Sequence, residues 1–518
     1  MTISDHSLFR PPDVALPHAA LHEQSKGQAL EPRLIRRVPV FLFVILAGFY
    51  FFVLALPLGG VALLSDPDVY WHVSGGRTIW QTGSLPHFDE LSHTFQGQPW
   101  IAKEWLGQLI LAAAYAVAGW RTVVMLAAGV IALTYGLLFL TLARKMRITV
   151  ALGVAIAVWA FSAGHYNARP QIFADPLIIL WVAGLVRAVE TRSPPSFWLL
   201  PIMTLWANVH ASFTFGLAIA AVFAAESFFG AAAGERRLVA RRWAVFLAAA
   251  LASACITPYG YRPILMTFQV FVGNDALNFV QEWSPATVQS FGVGGLALLA
   301  LPFMGLYFGV KLPFWRLVLI FGLAALMFAH IRFAALFALV TPLPLADPLV
   351  RQFPFLGLPA QIAAEPQFFR TIGRASQRFL YPAIALIAAG AVAFAAYGPA
   401  VSPKANITPE GAVDTILREH LMGNVYNDFD FGGYLIFRGV KTFIDGRNDQ
   451  LFTHGFVTRL HDVIDRHPGG LEAYLDQYEI SVVLVGPGSP EDEQLENSTN
   501  WRKVYSDAVS VLFRKQSP

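Results

Sequence analysis

The sequence predicts a polytopic α-helical membrane protein with about eleven transmembrane helices, followed by a small C-terminal extracytoplasmic α/β domain. Three observations carry this. The 518 residues are 55% hydrophobic and only 14% charged, with a mean hydropathy of +0.51. A soluble chain this apolar could not keep enough polar surface in water. Apolar runs of membrane-crossing length recur from residue 38 to residue 398, and beyond 398 the composition turns to short apolar runs, Gly-rich turns and charged helical patterns. The net charge of +3 gives no reason to expect a nucleic-acid partner. The single cysteine, Cys255, excludes an internal disulfide, so cysteine says nothing about compartment.

In order along the chain, residues 1–32 read as a disordered cytoplasmic tail, 33–398 as the transmembrane domain with a long loop at 65–120, and 399–518 as the soluble domain. The predicted spans are 38–64, 121–143, 148–164, 171–189, 196–209, 211–230, 241–257, 293–310, 315–330, 333–347 and 380–398. Arg33, Arg36 and Arg37 place the amino terminus inside. If the apolar run 105–119 lies on the outer surface rather than crossing, Arg144, Lys145, Arg147, Arg187, Arg192, Arg236, Arg237, Lys311 and Arg316 all fall inside. The membrane expected is a plasma or inner membrane. Arg370, Arg374 and Arg378 then sit on anionic headgroups.

That alternation gathers the other polar residues on the outer side: Asp66, Asp68, His72, Asp89, Glu104, His165, Asn167, Arg169, Asn208, His210, Arg262, Glu282, His330 and Arg332. Ionisable groups at membrane helix ends are costly and usually mark function. Within "SDPDVYWHVSGGRTIW" (65–80) the aspartates could simply end a helix. The ordered run that follows, with Gly83, Pro86, Asp89, Gly97, Trp100 and Glu104, argues for a built loop. "SVVLVGPG" (481–488) reads as a buried strand and turn, and "VYNDFDFGGYLIF" (425–437) and "VKTFIDGRND" (440–449) as strand–turn units. In the last of these, Asp445, Arg447 and Asp449 favour a structural salt bridge, an acceptor-facing loop being the alternative. Tyr259 and Arg262 in "TPYGYRP" shape either a lipid entrance or a plain turn.

These motifs resemble the GT-C glycosyltransferases, which use polyprenyl-phosphate-linked sugar donors. Asp68, Tyr70, Trp71 and His72, then Gly83, Pro86 and Asp89, match the first outer loop of that superfamily, including its dolichyl-phosphate-mannose-dependent members. Three stretches are similar to the catalytic subunit of oligosaccharyltransferase: "FVQEWSPATVQSF" (279–291) through Glu282 and Pro285, "FAHIRFAALFALVTP" (328–342) through Arg332, and "DFDFGGY" (428–434) through Asp430, Phe431 and Gly432. The resemblance implies an inverting transferase on the outer face, with Asp68 as catalytic carboxylate, Asp66 as its rival and Glu282 beside them. It implies Arg332 on the donor phosphate; by charge and position Arg169 and His330 are further candidates there, and His72, Glu104, His165, His210 and Asp430 are candidates around the substrates, helix capping or interfacial packing being the favoured alternative for each histidine. A polyprenyl-linked donor, membrane lipids and an acceptor protein or glycan are the implied partners.

Two departures bear on chemistry. Where the family has a pair of acidic metal ligands, "AGHYNARPQIF" (163–173) offers His165, Asn167 and Arg169. A divalent ion (Mg²⁺ or Mn²⁺), with Asp68 and His165 as candidate ligands, is therefore doubtful as a cofactor; an arginine suits phosphate instead. The family's acceptor-reading tryptophans are Asp428 and Phe429, so asparagine-linked protein glycosylation is not supported. The rival class is a non-enzymatic lipid-linked-sugar transporter or a scaffold subunit of an export complex. Internal repeats and broken midplane helices would mark a transporter, and the sequence shows polar groups at one surface instead. A third reading is an enzyme whose soluble domain mainly binds a partner.

Overall fold

A computed structural model describes residues 38–270, 275–287, 290, 300, 304–358, 367–421, 423–466 and 470–516. The predicted tail 1–32, with Arg33, Arg36 and Arg37, and most of the predicted span 293–310 lie outside the described residues.

The chain forms a helical bundle with a four-stranded sheet near its C-terminus. The predicted first span is two helices, α1 (Val38–Ala55) and α2 (Pro57–Leu63), because Pro57 supplies no N–H to continue the first. Then come α3 (Asp68–Thr82), α4 (Trp105–Ala118), α5 (Trp120–Leu142), α6 (Ile148–Ser162), α7 (Ala174–Glu190), α8 (Leu200–Val209), α9 (Phe213–Gly230), α10 (Arg236–Ala254) and α11 (Arg262–Val270). They are followed by α12 (Phe314–Ala329), α13 (Ala334–Val340), α14 (Pro342–Gln352) and α15 (Gln367–Tyr397).

Among the described residues five helical segments are long and apolar enough to cross a membrane: Trp120–Leu142, Ile148–His165, Pro170–Glu190, Phe213–Gly230 and Arg378–Tyr397. A sixth results if Ile331–Val340 and Pro342–Gln352, bent by 42°, count as one span. The expected count of eleven is higher because several predicted spans are helices shorter than the roughly 20 residues that cross a bilayer. The run at 105–119 is a helix of 14 residues ended by Gly119, about 21 Å long at 1.5 Å per residue. It lies against α3, and a side chain at Gly76 would overlap the backbone of Gln108, so a residue without Cβ is needed at that crossing.

Two charge clusters define the ends of the bundle. At one end, Lys145 bonds Glu190 (2.6 Å), and Arg316 bonds Glu226 (2.9 Å) and the carbonyl of Pro344 (2.6 Å). This joins the start of α12 to the ends of α7 and α9 and to the loop after α5, so residues expected on one membrane side do share one end. The other end carries loop 65–104 and the C-terminal domain.

In that domain β1 (Asn424–Asn427), β2 (Ile480–Val485), β3 (Trp501–Ser506) and β4 (Val511–Lys515) form a sheet of order β1-β2-β4-β3. β1 and β2 are parallel and the other pairs antiparallel. The strand expected at 481–488 is β2, buried along nearly its whole length. The strand expected in 440–449 does not form. That segment joins loop 65–104 instead: the Thr442 N–H donates to the Leu91 carbonyl (3.1 Å), the His93 N–H to the Thr442 carbonyl (3.0 Å) and the Thr94 hydroxyl to the Phe443 carbonyl (2.7 Å). Its backbone groups are satisfied there rather than in the sheet. Likewise "GGYLIF" continues as a helix, α16 (Gly432–Phe437), not as strand.

Candidate active site

The segment Ser65–Asp68 turns from α2 into α3. The Asp66 carboxylate accepts the Asp68 backbone N–H (2.9 Å), a local turn that fixes the start of α3. Beside it the Ala168 N–H donates to the Leu63 carbonyl (2.8 Å) and the Ser65 hydroxyl to Asn167 (3.1 Å), which brings "NARP" against "SDPD". Arg169, 9% exposed, then stands between three carboxylates. Its Nη1 lies 3.1 Å from both Asp66 Oδ2 and Asp68 Oδ2, and its Nη2 donates to Glu282 and to Gln171 (3.3 Å). Burial, and then the neighbouring Asp66, raise the Asp68 carboxyl well above its ordinary range, against the pull of Arg169. Glu282 is held low by Arg169 and Arg332 despite its own burial.

Arg332 is placed by a short brace. The Ile331 N–H donates to the Ser284 carbonyl (3.1 Å) and the Ala286 N–H to the Phe328 carbonyl (3.1 Å). His330 bonds the Trp283 carbonyl through Nδ1 (2.7 Å), so it supports this loop rather than facing the cavities. The guanidinium of Arg332 lies 4.3 Å from the centre of the Trp283 ring and, among the described residues, has no hydrogen-bond or ion-pair partner. Half-buried, it keeps hydrogen-bonding capacity unused among the described residues.

Glu104, at the start of α4, stands between His210 Nε2 (3.4 Å) and His72 Nε2 (3.9 Å). The Ser212 N–H donates to His210 Nδ1 (3.2 Å), which leaves the proton of a neutral imidazole on Nε2, facing Glu104. Burial pushes the Glu104 carboxyl up to about 7 and both imidazoles well below their usual range. Lys103 pairs with Asp449.

These groups border two cavities of about 490 and 460 Å³. Asp66, Asp68, His72, Trp100 and Asp430 line the first, which lies under the C-terminal domain. The second descends past His165 and Asp175 to Ile178, Phe215, Phe333 and Leu336, inside the bundle. Glu104, His210, Glu282 and Arg332 line both.

The structure thus brings together Asp66, Asp68, Glu282, Arg169 and Arg332, with His72, Glu104, His165, His210 and Asp430 around them; of the expected site residues only His330 turns away. Arg169, expected on phosphate, is instead engaged by carboxylates. The sequence reading missed Gly446 and Gln450. A Cβ on Gly446 would overlap the Asp68 carboxylate, and one on Gly433 would overlap the Pro67 carbonyl, so the C-terminal domain packs directly on the Asp66–Asp68 turn. The Gln450 side chain accepts from the Ile101 N–H (3.1 Å) and donates to its carbonyl (3.1 Å). For Asp445 and Arg447 the salt-bridge reading of "FIDGRND" agrees with the geometry: Arg447, 1% exposed, bonds both Asp445 oxygens (2.8 Å each) and Asp89, above the Trp100 ring, whereas Asp449 pairs with Lys103 and lines both cavities. The signal available in the sequence was a glycine between two charged residues. Tyr259 serves as a latch, its hydroxyl donating to the Pro86 carbonyl (2.9 Å).

The residues do not fit a divalent metal. Among the described residues no three His, Cys, Asp or Glu side chains are grouped to hold one, and a guanidinium stands where Asp66, Asp68 and Glu282 converge.

No known family's sequence pattern matches the chain, and no curated protein is similar to it in sequence. Solved structures are similar. The apo oligosaccharyltransferase of Archaeoglobus fulgidus aligns at 13% identity over 85% of this chain and 69% of its own, with a TM-score of 0.51. The A. fulgidus oligosaccharyltransferase AglB, in complex with an inhibitory peptide and a dolichol-phosphate, aligns at 12% identity over 86% and 69%, with a TM-score of 0.48. ArnT from Cupriavidus metallidurans, bound to undecaprenyl phosphate, aligns at 13% identity over 92% and 97%, with a TM-score of 0.49. At these identities the likeness is one of fold alone, and the fold is similar to that of the A. fulgidus oligosaccharyltransferase.

Proposed function

We propose that the chain is an inverting glycosyltransferase that moves a sugar from a polyprenyl phosphate or diphosphate to an acceptor, on the membrane face that carries the C-terminal domain. By the distribution of Lys and Arg that face is the outer one. One observation carries the reading: two carboxylates and an unpaired arginine meet where a polar cavity under the soluble domain joins a cavity with an apolar floor. Such a junction suits a donor with a lipid tail, an anionic phosphate and a sugar, approached by a polar acceptor from the opposite side.

In this reading the lipid lies along Ile178, Phe215 and Leu336, and its phosphate meets Arg332. Asp68 faces the acceptor. Asp66 uses both oxygens, one on the Asp68 N–H and the other toward Arg169, whereas Asp68 meets Arg169 through Oδ2, with Gly446 packed on Oδ1 and Trp71 beside it. The acceptor nucleophile forms a bond to the anomeric carbon as the bond from that carbon to the phosphate oxygen breaks. The acceptor proton passes to Asp68, and the electron pair leaves with the polyprenyl phosphate or diphosphate, its charge met by Arg332. Negative charge from Asp66 and Asp68 favours the oxocarbenium-like transition state.

The test is transfer from a radiolabelled polyprenyl-phosphate sugar in proteoliposomes. Asp68→Asn is expected to lower kcat about a thousandfold without changing the melting temperature, the scale of a lost general base. If Asp68→Asn and Asp66→Asn both transfer like wild type, the reading is wrong.

A further inference from the structure

The carboxylates of Asp66, Asp68 and Glu282 come from three separate segments and converge on one group, the guanidinium of Arg169. Three half-buried carboxylates facing one another without a cation would repel and tend to take up protons. A divalent ion is one remedy, but it demands oxygen ligands at about 2.0–2.6 Å around a single point. A planar fork satisfies carboxylates spread over a wider arc. That is the arrangement observed: Asp66 and Asp68 on one arm of the fork, Glu282 on the other, with Gln171 completing it.

We infer that Arg169 is the resident counter-cation of this cluster, doing by a covalently attached charge what a bound divalent ion would do, so that the site works without a metal. Arg169 is then a positioning residue. It holds Asp68 ionisable and aimed, and the incoming phosphate is left to Arg332. The catalytic part of this rests on the glycosyl-transfer reading, whereas the charge arrangement can be tested without any transfer.

The protein to use is the full chain in detergent or proteoliposomes. Titration with Mn²⁺ followed by electron paramagnetic resonance is expected to show no stoichiometric site in wild type. Wild-type transfer is expected to stay within about twofold in excess EDTA, since no metal supplies transition-state charge. Arg169→Ala is expected to lose about a hundredfold in kcat, the scale of a lost electrostatic group, and to melt at a lower temperature. Millimolar guanidinium ion should restore both the transfer and the melting temperature, while Mg²⁺ and Mn²⁺ should not. Arg169→Lys keeps the charge and should retain more of both than Arg169→Ala, which guards against a variant that merely misfolds. Stoichiometric Mn²⁺ binding by wild type, loss of transfer in EDTA that Mg²⁺ or Mn²⁺ reverses, or rescue of Arg169→Ala by metal as well as by guanidinium would overturn the inference. A wild-type protein that transfers no sugar, binds no Mn²⁺ and shows guanidinium rescue of melting alone overturns the transferase reading and leaves the counter-cation standing.

Discussion

The two ends of the bundle bury similar numbers of charges in different ways. At the end away from the C-terminal domain, Lys145 and Arg316 face Glu190 and Glu226, so the charges balance in pairs. At the other end three carboxylates share Arg169, while Arg332 rests on Trp283 and, among the described residues, has no carboxylate within ion-pair distance. Pairing closes a cluster: each charge has a partner that offsets part of its desolvation cost. The second cluster is left open, with an unmatched cation directed at shared cavities. Burial of charge in a membrane chain therefore does not separate structural from chemical sites; stoichiometry of charge does.

Removing Arg316 gives the largest expected effect. Arg316→Met strands Glu226 and should destabilise the fold by about 3 kcal/mol, the range for breaking a buried pair, read as thermal unfolding in detergent. Transfer per folded molecule should not change. Arg332→Gln should do the reverse, with unfolding unchanged and kcat/KM for the lipid donor lowered about a hundredfold, as for other lost electrostatic donors. If both variants lose stability and both keep transfer, the contrast between the two ends collapses. Gly446→Ala sharpens it further, because the added methyl pushes on the Asp68 carboxylate without touching Arg332. A drop of about tenfold in kcat with donor KM unchanged is the expected signature of a displaced reacting group.

Most of the helical organisation was readable from hydropathy, and the shared end of Asp66, Arg169, Glu282 and Arg332 from charge alternation. What was not readable is instructive. Arg169 presents the same sequence signal whether it meets a phosphate or a carboxylate, and only the fold decides, by bringing residues 66, 68 and 282 to it. His330 stands two residues from Arg332, yet its ring turns to the Trp283 carbonyl because the backbone there is extended. The strand expected at 440–449 reads as β by composition, but its hydrogen-bonding partners come from loop 65–104, some 350 residues away in sequence. Gly446 carries no side chain to suggest a role; its importance is the absence of one.

Glu104 gives the smallest and most specific effect. It lies on the open end, between His72 and His210, with Lys103, Asp449, Arg169 and Arg332 as the other charges that act on it. Burial raises its carboxyl to about 7 from the ordinary 4.5. Below that pH it is a neutral acid that donates a hydrogen bond; above it, an anion that repels a donor phosphate. Because the folded value is raised, the stability it contributes is present at low pH and is lost as pH rises toward 7. Transfer should therefore fall as pH rises above about 7 and Glu104 ionises. Glu104→Gln keeps the shape and the neutral state. It should abolish that fall, leaving transfer about threefold faster than wild type at pH 8, the scale of one modest charge repulsion. A Glu104→Gln profile that still falls above neutral pH would assign that fall elsewhere and make Glu104 another closed partner, like Glu226 at the opposite end.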